Sequence, residues 1–512
     1  MYRIISASKD TYITNKIINN SFRATDSNAG QAGTLDLFKL YAESISGSDY
    51  SPYESSRLLI KFNLDEVRYM HENNIIDVGD SSFQAKLILH DVYGGQTTPK
   101  NFKLIGMPLA ISYDEGIGHD IVDFKDVGVA NWLTASEGAA DFVKWNLPGA
   151  KASGSLSDSN IDVIISGTIP GNDLPINFSA EQFFKTGFED LSLDVTNFVS
   201  ASVKNLVSNH GFVIGYSGSF ETNQKTYFVK RFASRNTVNT SKKPKLSLLY
   251  DDSIIDNRNN FVFDNSGSLY LHNFYKGSLA NIKNTATNST ISGQNCMILK
   301  LETGSFKTQF NVSEAMRGEG RLSGLYSSSF AISQFDQSIV TGSESIYDFV
   351  LNSGSITFNE IWSSSDESTT YLSSSLTIKR NNRGPVNFKE GRYLVSVLNL
   401  KQRYRQNELV RFKVFIENAK RDIVFVKKPL EKHSEIFENM FYRIRDFESG
   451  DIIIPFDTTT NSTKLSSDNS AMYFDFYMSS LPRGRSYVFD FMIKENSFES
   501  IVDDIASRFS VI

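Results

Sequence analysis

The residues that could do chemistry are few and scattered. Six histidines stand at 71, 90, 119, 210, 272 and 433, with no i, i+4 pair to set two imidazoles on one helix face. The single cysteine, Cys296, excludes an intramolecular disulfide and any zinc cluster built on paired thiolates. GYSGSF at 215–220 lacks the closing glycine of a G-x-S-x-G nucleophile turn, and there is no Walker lysine loop. A glycosidase needs two facing carboxylates. The one dense acidic segment holds Asp114, Glu115, Asp120, Asp123 and Asp126, with His119 inside it. Its ligand types would suit Ca²⁺, but it lacks the alternating Asp/Asn-Gly loop of an EF-hand and reads first as solvated loop. No catalytic residue, metal site or cofactor is assigned, and the chain is expected not to be an enzyme.

The three tryptophans raise a different chemistry. Trp132 and Trp145 lie close together in NWLTASEGAADFVKW, with Tyr113 a short way upstream. Exposed, such rings would stack on the apolar face of a sugar or on a partner protein; turned inward, they would be core. Trp362, in FNEIWSS, reads as a strand residue of a core. The basic runs Lys242-Lys243-Pro244-Lys245 and Lys427-Lys428 lie beside strand ends and read as solvated edges that discourage strand-to-strand aggregation.

The elements that must position these residues are mostly strands. The 512 residues are 40% hydrophobic and 12% aromatic, enough for full cores and too apolar for a disordered chain. Short apolar and alternating runs recur: 33–39, 57–62, 85–90, 211–216, 245–250, 355–358, 393–398, 410–416, 471–477 and 487–493. Val, Ile, Phe and Tyr in that punctuation predict sandwiches or barrels rather than βαβ units. Helices are few. The best spans 194–208, with Asp194 or Thr196 as its cap; 63–73 and 179–185 are shorter, and 431–440 and 497–507 weaker. Ser/Gly clusters at 44–49, 154–159, 216–220, 265–270, 325–330, 352–358 and 372–378 read as turns leading into strands. Polar stretches at 251–260 and 379–385, the second holding Pro385, divide the chain into 1–250, 251–382 and 383–512.

Net charge is −6, with no basic footprint for nucleic acid and no pull towards anionic lipid. No apolar run approaches the ~20 residues of a membrane helix, and the first residues do not read as a secretory signal. The expectation is a soluble protein made in a reducing cytoplasm.

Two resemblances sharpen this. Asp10-Thr11-Tyr12-Ile13, Gly33-Thr34-Leu35-Asp36-Leu37, Arg57-Leu58-Leu59-Ile60-Lys61-Phe62 and Ala85-Lys86-Leu87-Ile88-Leu89 occur in that order. Asp194-Val195-Thr196, Gly211-Phe212-Val213-Ile214, Phe232-Ala233-Ser234-Arg235 and Pro244-Lys245-Leu246-Ser247-Leu248 follow. Together they resemble the DNRLRE-type, carbohydrate-binding-like β-sandwich module, interrupted by a long insertion at about 100–190. The remainder is similar to structural proteins of tailed phages, especially large marine myoviruses, on its Ser-Ser-Ser and Ser-Gly-Ser strand starts, on 358–380 and on 451–493. Leu481-Pro482-Arg483-Gly484-Arg485-Ser486-Tyr487 suits a turn feeding the last strand of an immunoglobulin-like sandwich.

The fold expected is therefore all-β: consecutive β-sandwich domains, jelly-roll or carbohydrate-binding-module-like first and immunoglobulin-like last, with few short helices. The function these resemblances imply is a virion structural protein of the tail, neck or baseplate region. Its partners would be copies of itself and other virion proteins, with no nucleic acid and no membrane insertion. The alternative is a carbohydrate-binding adhesin or receptor-binding fibre component that holds host glycan through the first domain.

Overall fold

The structure, a computed structural model, describes all residues except 20, 42–52, 123–125, 140, 172–173, 285–287, 319, 382–392, 419–433, 496–497 and 504–506. The Ser/Gly cluster at 44–49, Asp123, Pro385, Lys427-Lys428 and His433 lie outside the described residues, as does most of the 379–385 stretch. The chain is all-β, a series of β-sandwich modules with a handful of short helices. Every apolar run read as a strand is one. No helix among the described residues is long and apolar enough to cross a membrane.

The first module turns on one long strand, Tyr2–Thr14. Its first half pairs with Lys245–Leu249 and its second half, past a register shift between Ala7 and Lys9, with Tyr53–Phe62. The bulge lets one strand serve two sheets. The front sheet continues through Gln84–Leu89 to Leu191–Asp194, and the back sheet through Phe212–Tyr216 and Phe102–Pro108 to Ala180–Phe184. Between them lies a core that includes Leu58, Ile60, Leu87, Leu104, Ile214, Leu246 and Leu248. Phe102–Pro108 is a central back-sheet strand, so the excursion from the sandwich runs from about 109 to 179, inside the interval read from sequence.

The middle module is a six-stranded antiparallel sheet in which Phe306–Arg317 again serves two neighbours. Trp362 lies fully buried in its core, with Nε1–H donating to Glu360 Oε1 at 2.6 Å. Arg258, from the 251–260 segment, clamps the same Glu360 carboxylate at 2.7 and 3.0 Å. That segment also reaches the C-terminal module, where the Ile254 N–H donates to Ser466 Oγ at 3.0 Å and Ile255 bridges to Ser467.

The C-terminal module packs two sheets through aromatic rings. Phe412 and Phe474, on one sheet, meet Tyr442 and Phe489, on the other, at centroid distances of 4.2–5.4 Å. Gly484, at φ 77°, turns the chain into Arg485–Glu495, and the Tyr487 hydroxyl donates back to Pro482 O at 2.6 Å. That strand is not the last. Phe498–Asp503 and Phe509–Val511 both pair with it.

Several sequence expectations change. The 194–208 helix is Thr196–Val203, with Asp194 Oδ1 accepting the Thr196 N–H at 3.0 Å. The 63–73 helix is Asp65–Glu72. The 179–185 and 497–507 segments are strands, Ala180–Phe184 and Phe498–Asp503, because each meets a partner strand remote or adjacent in sequence. The described part of 431–440 is not helical and runs into the strand Met440–Asp446. Ser327–Ser329 and Ser373–Ser375 sit inside paired strands rather than at turns.

Candidate functional site

The back sheet is buried on both faces, and the excursion is what buries the second. Along Tyr53–Phe62, Leu58 and Ile60 face the main core while Leu59 faces outward; Val213 and Ile13 do the same on neighbouring strands. Onto this outer face the excursion lays Leu109, Tyr113, Ala130, Trp132, Trp145 and Val163, forming a separate small core. Period-2 alternation sorts the residues, and apolar types at both parities show that neither face meets water.

Tyr113, Trp132 and Trp145 are brought together here, but inward, at 1%, 5% and 4% exposure. This corrects the surface reading of these three rings: none offers a face to a sugar. Trp145 Nε1–H donates to Asn131 O at 2.9 Å, and the Tyr113 hydroxyl to Lys9 O at 3.2 Å. Gly149, at φ 87°, lies flat against the Trp132 ring, where any Cβ would stand 2.6 Å from it. Buried Asp162 ties the excursion down by accepting the backbone N–H groups of Asn146, Leu147 and Ala152 at 2.7–3.0 Å.

The described carboxylates of the acidic segment take part in structural contacts. Glu115 receives Arg235 through Nε and Nη2, both at 2.6 Å, and the Asp10 N–H at 2.7 Å. Asp114 pairs with Lys9 at 3.4 Å, and Asp126 accepts the Ile117 N–H at 3.1 Å. No group of three or more His, Cys, Asp or Glu among the described residues is arranged to hold a metal.

Sequence reasoning missed the centre of this network. Asp10, buried at the head of the Asp10-Thr11-Tyr12 motif, accepts the Arg235 backbone N–H at 2.5 Å through Oδ2, while its Oδ1 has no partner among the described residues. Burial pushes its carboxyl up to about 7; the Arg235 N–H opposes the shift and the Glu115 carboxylate adds to it. Two neighbouring carboxyls are the raw material of a glycosidase, but here one is sealed from solvent and the other is fully engaged by a guanidinium. The signal lay in the sequence as two motif fragments, Asp10 and Phe232-Ala233-Ser234-Arg235; their contact did not. Ser217, from GYSGSF, donates its hydroxyl to Glu181.

The surface that stands out is a hairpin on the middle module. Phe274–Tyr275 pairs with Ser278–Leu279 across Lys276 and Gly277, both at positive φ (51° and 84°), as a two-residue type I′ turn requires. Phe274, Tyr275 and Leu279 are 58%, 64% and 43% exposed. The base is pinned: Asn273 N–H donates to Gly324 O at 2.8 Å, and Asn273 Nδ2 to Ala280 O at 2.6 Å.

No family model matches the chain, and no curated protein matches it. Among solved structures, a titin fragment (A168169) is 9% identical over 51% of this chain and 95% of its own, with a TM-score of 0.15. An Escherichia coli alpha-2-macroglobulin is 8% identical, covering all of this chain and 44% of its own length, with a TM-score of 0.16. The BSP domain of a biofilm-associated protein is 8% identical over 99% of this chain and 96% of its own, with a TM-score of 0.15. Likenesses this faint carry no assignment.

Proposed function

We propose that the protein is a non-enzymatic structural component of a tailed-phage virion, in the tail, neck or baseplate region. It would be made in the host cytoplasm and work by burying surface against copies of itself and neighbouring virion proteins. The placement in a virion rests on the sequence resemblance alone. The mode of action is supported by one observation above the rest: the Phe274–Leu279 hairpin holds large apolar rings in water on a pinned base. Aromatic residues presented this way supply interface area at small entropic cost. The adhesin alternative gains no exposed ring from Tyr113, Trp132 or Trp145.

Two measurements test the reading. Light scattering at two well-separated concentrations should give a defined multimer that persists on dilution. Immunogold labelling of purified particles should place the protein on the virion. A protein absent from purified particles would overturn the virion assignment, and a monomer at both concentrations would overturn self-assembly through the hairpin.

A further inference from the structure

The outer face of the front sheet mixes polar and apolar residues where the back one is apolar, and only part of it is covered. Tyr2 and Leu249, opposite each other across the first two strands, belong to the C-terminal module's core, and the Ile4 N–H donates to Ser480 Oγ at 3.1 Å. Further along the same face, Ser6, Lys245 and Ile88 stand in register across three strands. The C-terminal segments 451–453, which open the strand Ile452–Ile454, and 479–483 overhang this row, leaving a cleft of about 790 Å³ between the two modules. That volume is in the range of ordinary small-ligand sites.

The cleft is lined by five lysines and arginines against two aspartates. Lys245 is not at a sheet edge, as the basic run had suggested, but in a strand paired on both sides. The side-chain ammonium groups of Lys243 and Lys245 make no hydrogen bond and no close ion pair among the described residues; Asp10 acts on the first and Asp190 on the second only from a distance. Across the cleft, Arg483 donates through Nε to Gln406 Oε1. Of the rest, Lys242 reaches Asp91 O at 3.3 Å and Arg235 is taken by Glu115. The two acids are occupied: Asp190 accepts the Asp91 N–H at 2.7 Å and faces His90 Nδ1 at 2.8 Å, and Asp451 accepts the Ser449 hydroxyl at 2.8 Å.

An ammonium drawn out of water without a counter-charge is costly. Burial holds the Lys245 pKa below the ordinary lysine value, with Asp190 opposing the shift only in part. The hydroxyl of Thr240 on the first module and that of Ser480 on the C-terminal one add neutral donors to the lining. We propose that this cleft binds a small multivalent oxyanion, carboxylate or phosphate, held between Lys243 and Lys245 on the first module and Arg483 on the C-terminal one. The site stands whether or not the protein is a virion component, since it rests on the cleft and its charges.

The test is calorimetric titration of the full chain with citrate and, separately, with inorganic pyrophosphate, at ionic strength held constant with sodium chloride. Saturable binding of citrate, pyrophosphate or both is expected, and which one binds tells the carboxylate source from the phosphate source. Lys243→Gln/Lys245→Gln and, separately, Arg483→Gln should each weaken binding at least about tenfold, the factor one charge-assisted hydrogen bond carries. The unliganded double variant should unfold at close to the wild-type temperature, because neither ammonium makes a hydrogen bond or close ion pair that the substitution would break. That result separates lost binding from lost folding. Failure of both probes to bind saturably, or unchanged affinity in the variants, would overturn the proposal.

Discussion

The two outer faces of the first sandwich are covered in opposite ways. The back face is apolar and sealed by the protein's own excursion: Leu59, Val213 and Ile13 lie under Trp132 and Trp145. The front face carries Ser6, Lys86 and Lys245 beside Ile88, and a separate module covers it only at the end that holds Tyr2, Ile4, Ser247 and Leu249. Burying apolar area at about 25 cal/mol per Å² makes the back face a store of stability. The front face, with hydroxyls and ammonium groups in rows, stores little and leaves room for a ligand. In this module, the two tryptophans are spent on packing, and the front face keeps the accessible cleft.

The largest effect that would break this contrast is on the back. Trp145→Ala empties a buried indole site and strands Asn131 O, so it should cost about 3–5 kcal/mol, read by urea unfolding. It should also expose the 109–179 excursion to limited proteolysis before the sandwich strands are cut. A glycan-array signal that vanished in this variant while stability was unchanged would mean that the ring faces a ligand after all.

Next comes the carboxyl network at the join of the two faces. Asp10 titrates at about 7 in the fold and near 4 in the unfolded chain. Between those values the folded state holds the extra proton, so stability falls as pH rises from about 4 to 7 and is level above. The ceiling on that fall is on the order of 4 kcal/mol. Asp10→Asn keeps an acceptor for the Arg235 N–H and removes the titration. The difference in unfolding free energy between wild type and variant should therefore grow in the variant's favour from pH 4 to 7. A difference that does not change with pH would place the Asp10 carboxyl in contact with solvent.

A smaller change is expected on the front. Ser480→Ala deletes the acceptor of the Ile4 N–H at the module seam, worth about 1 kcal/mol. Because the seam is the wall of the cleft, hydrogen exchange at the Ile4 amide should quicken while the amides of the back sheet stay protected. Equal quickening on both faces would show that the two are not independently held.

Much of the fold was legible because strand signals are local. Leu58-Leu59-Ile60 carries apolar residues at both parities, and two buried faces are what the structure finds. The 179–185 segment reads locally as a short helix; its strand state, Ala180–Phe184, comes from pairing with Phe102–Pro108, some eighty positions away, which no local window contains. The site was less legible for the same reason. Lys243 and Lys245 look like an edge until Tyr2–Thr14 and Gln84–Leu89 close on either side, and Asp10 meets Arg235 only when the strand ends converge. Trp132 and Trp145 were visible as a pair, but which way they point is decided by the apolar outer face of the back sheet, an inference that needs the register.

The smallest expected effect on stability is the most informative about function. Phe274→Ser/Tyr275→Ser changes rings that face water and leaves the Asn273 anchors in place, so the unfolding free energy should move by no more than about 0.5 kcal/mol. If the hairpin is a contact between copies, the same variant should dissociate the multimer, since aromatic anchors at the centre of an interface carry a disproportionate share of its energy. The back face supplies the control, because Trp145→Ala should lower stability and leave the surviving folded protein able to associate. A hairpin variant as associated as the wild type would move the search for the contact to the exposed apolar residues of the excursion, Val127, Leu133 and Leu147. The back-face cover would then have two roles, with rings packed inward and aliphatic side chains presented to a neighbour, and Leu133→Ser/Leu147→Ser would be the variant that dissociates the multimer.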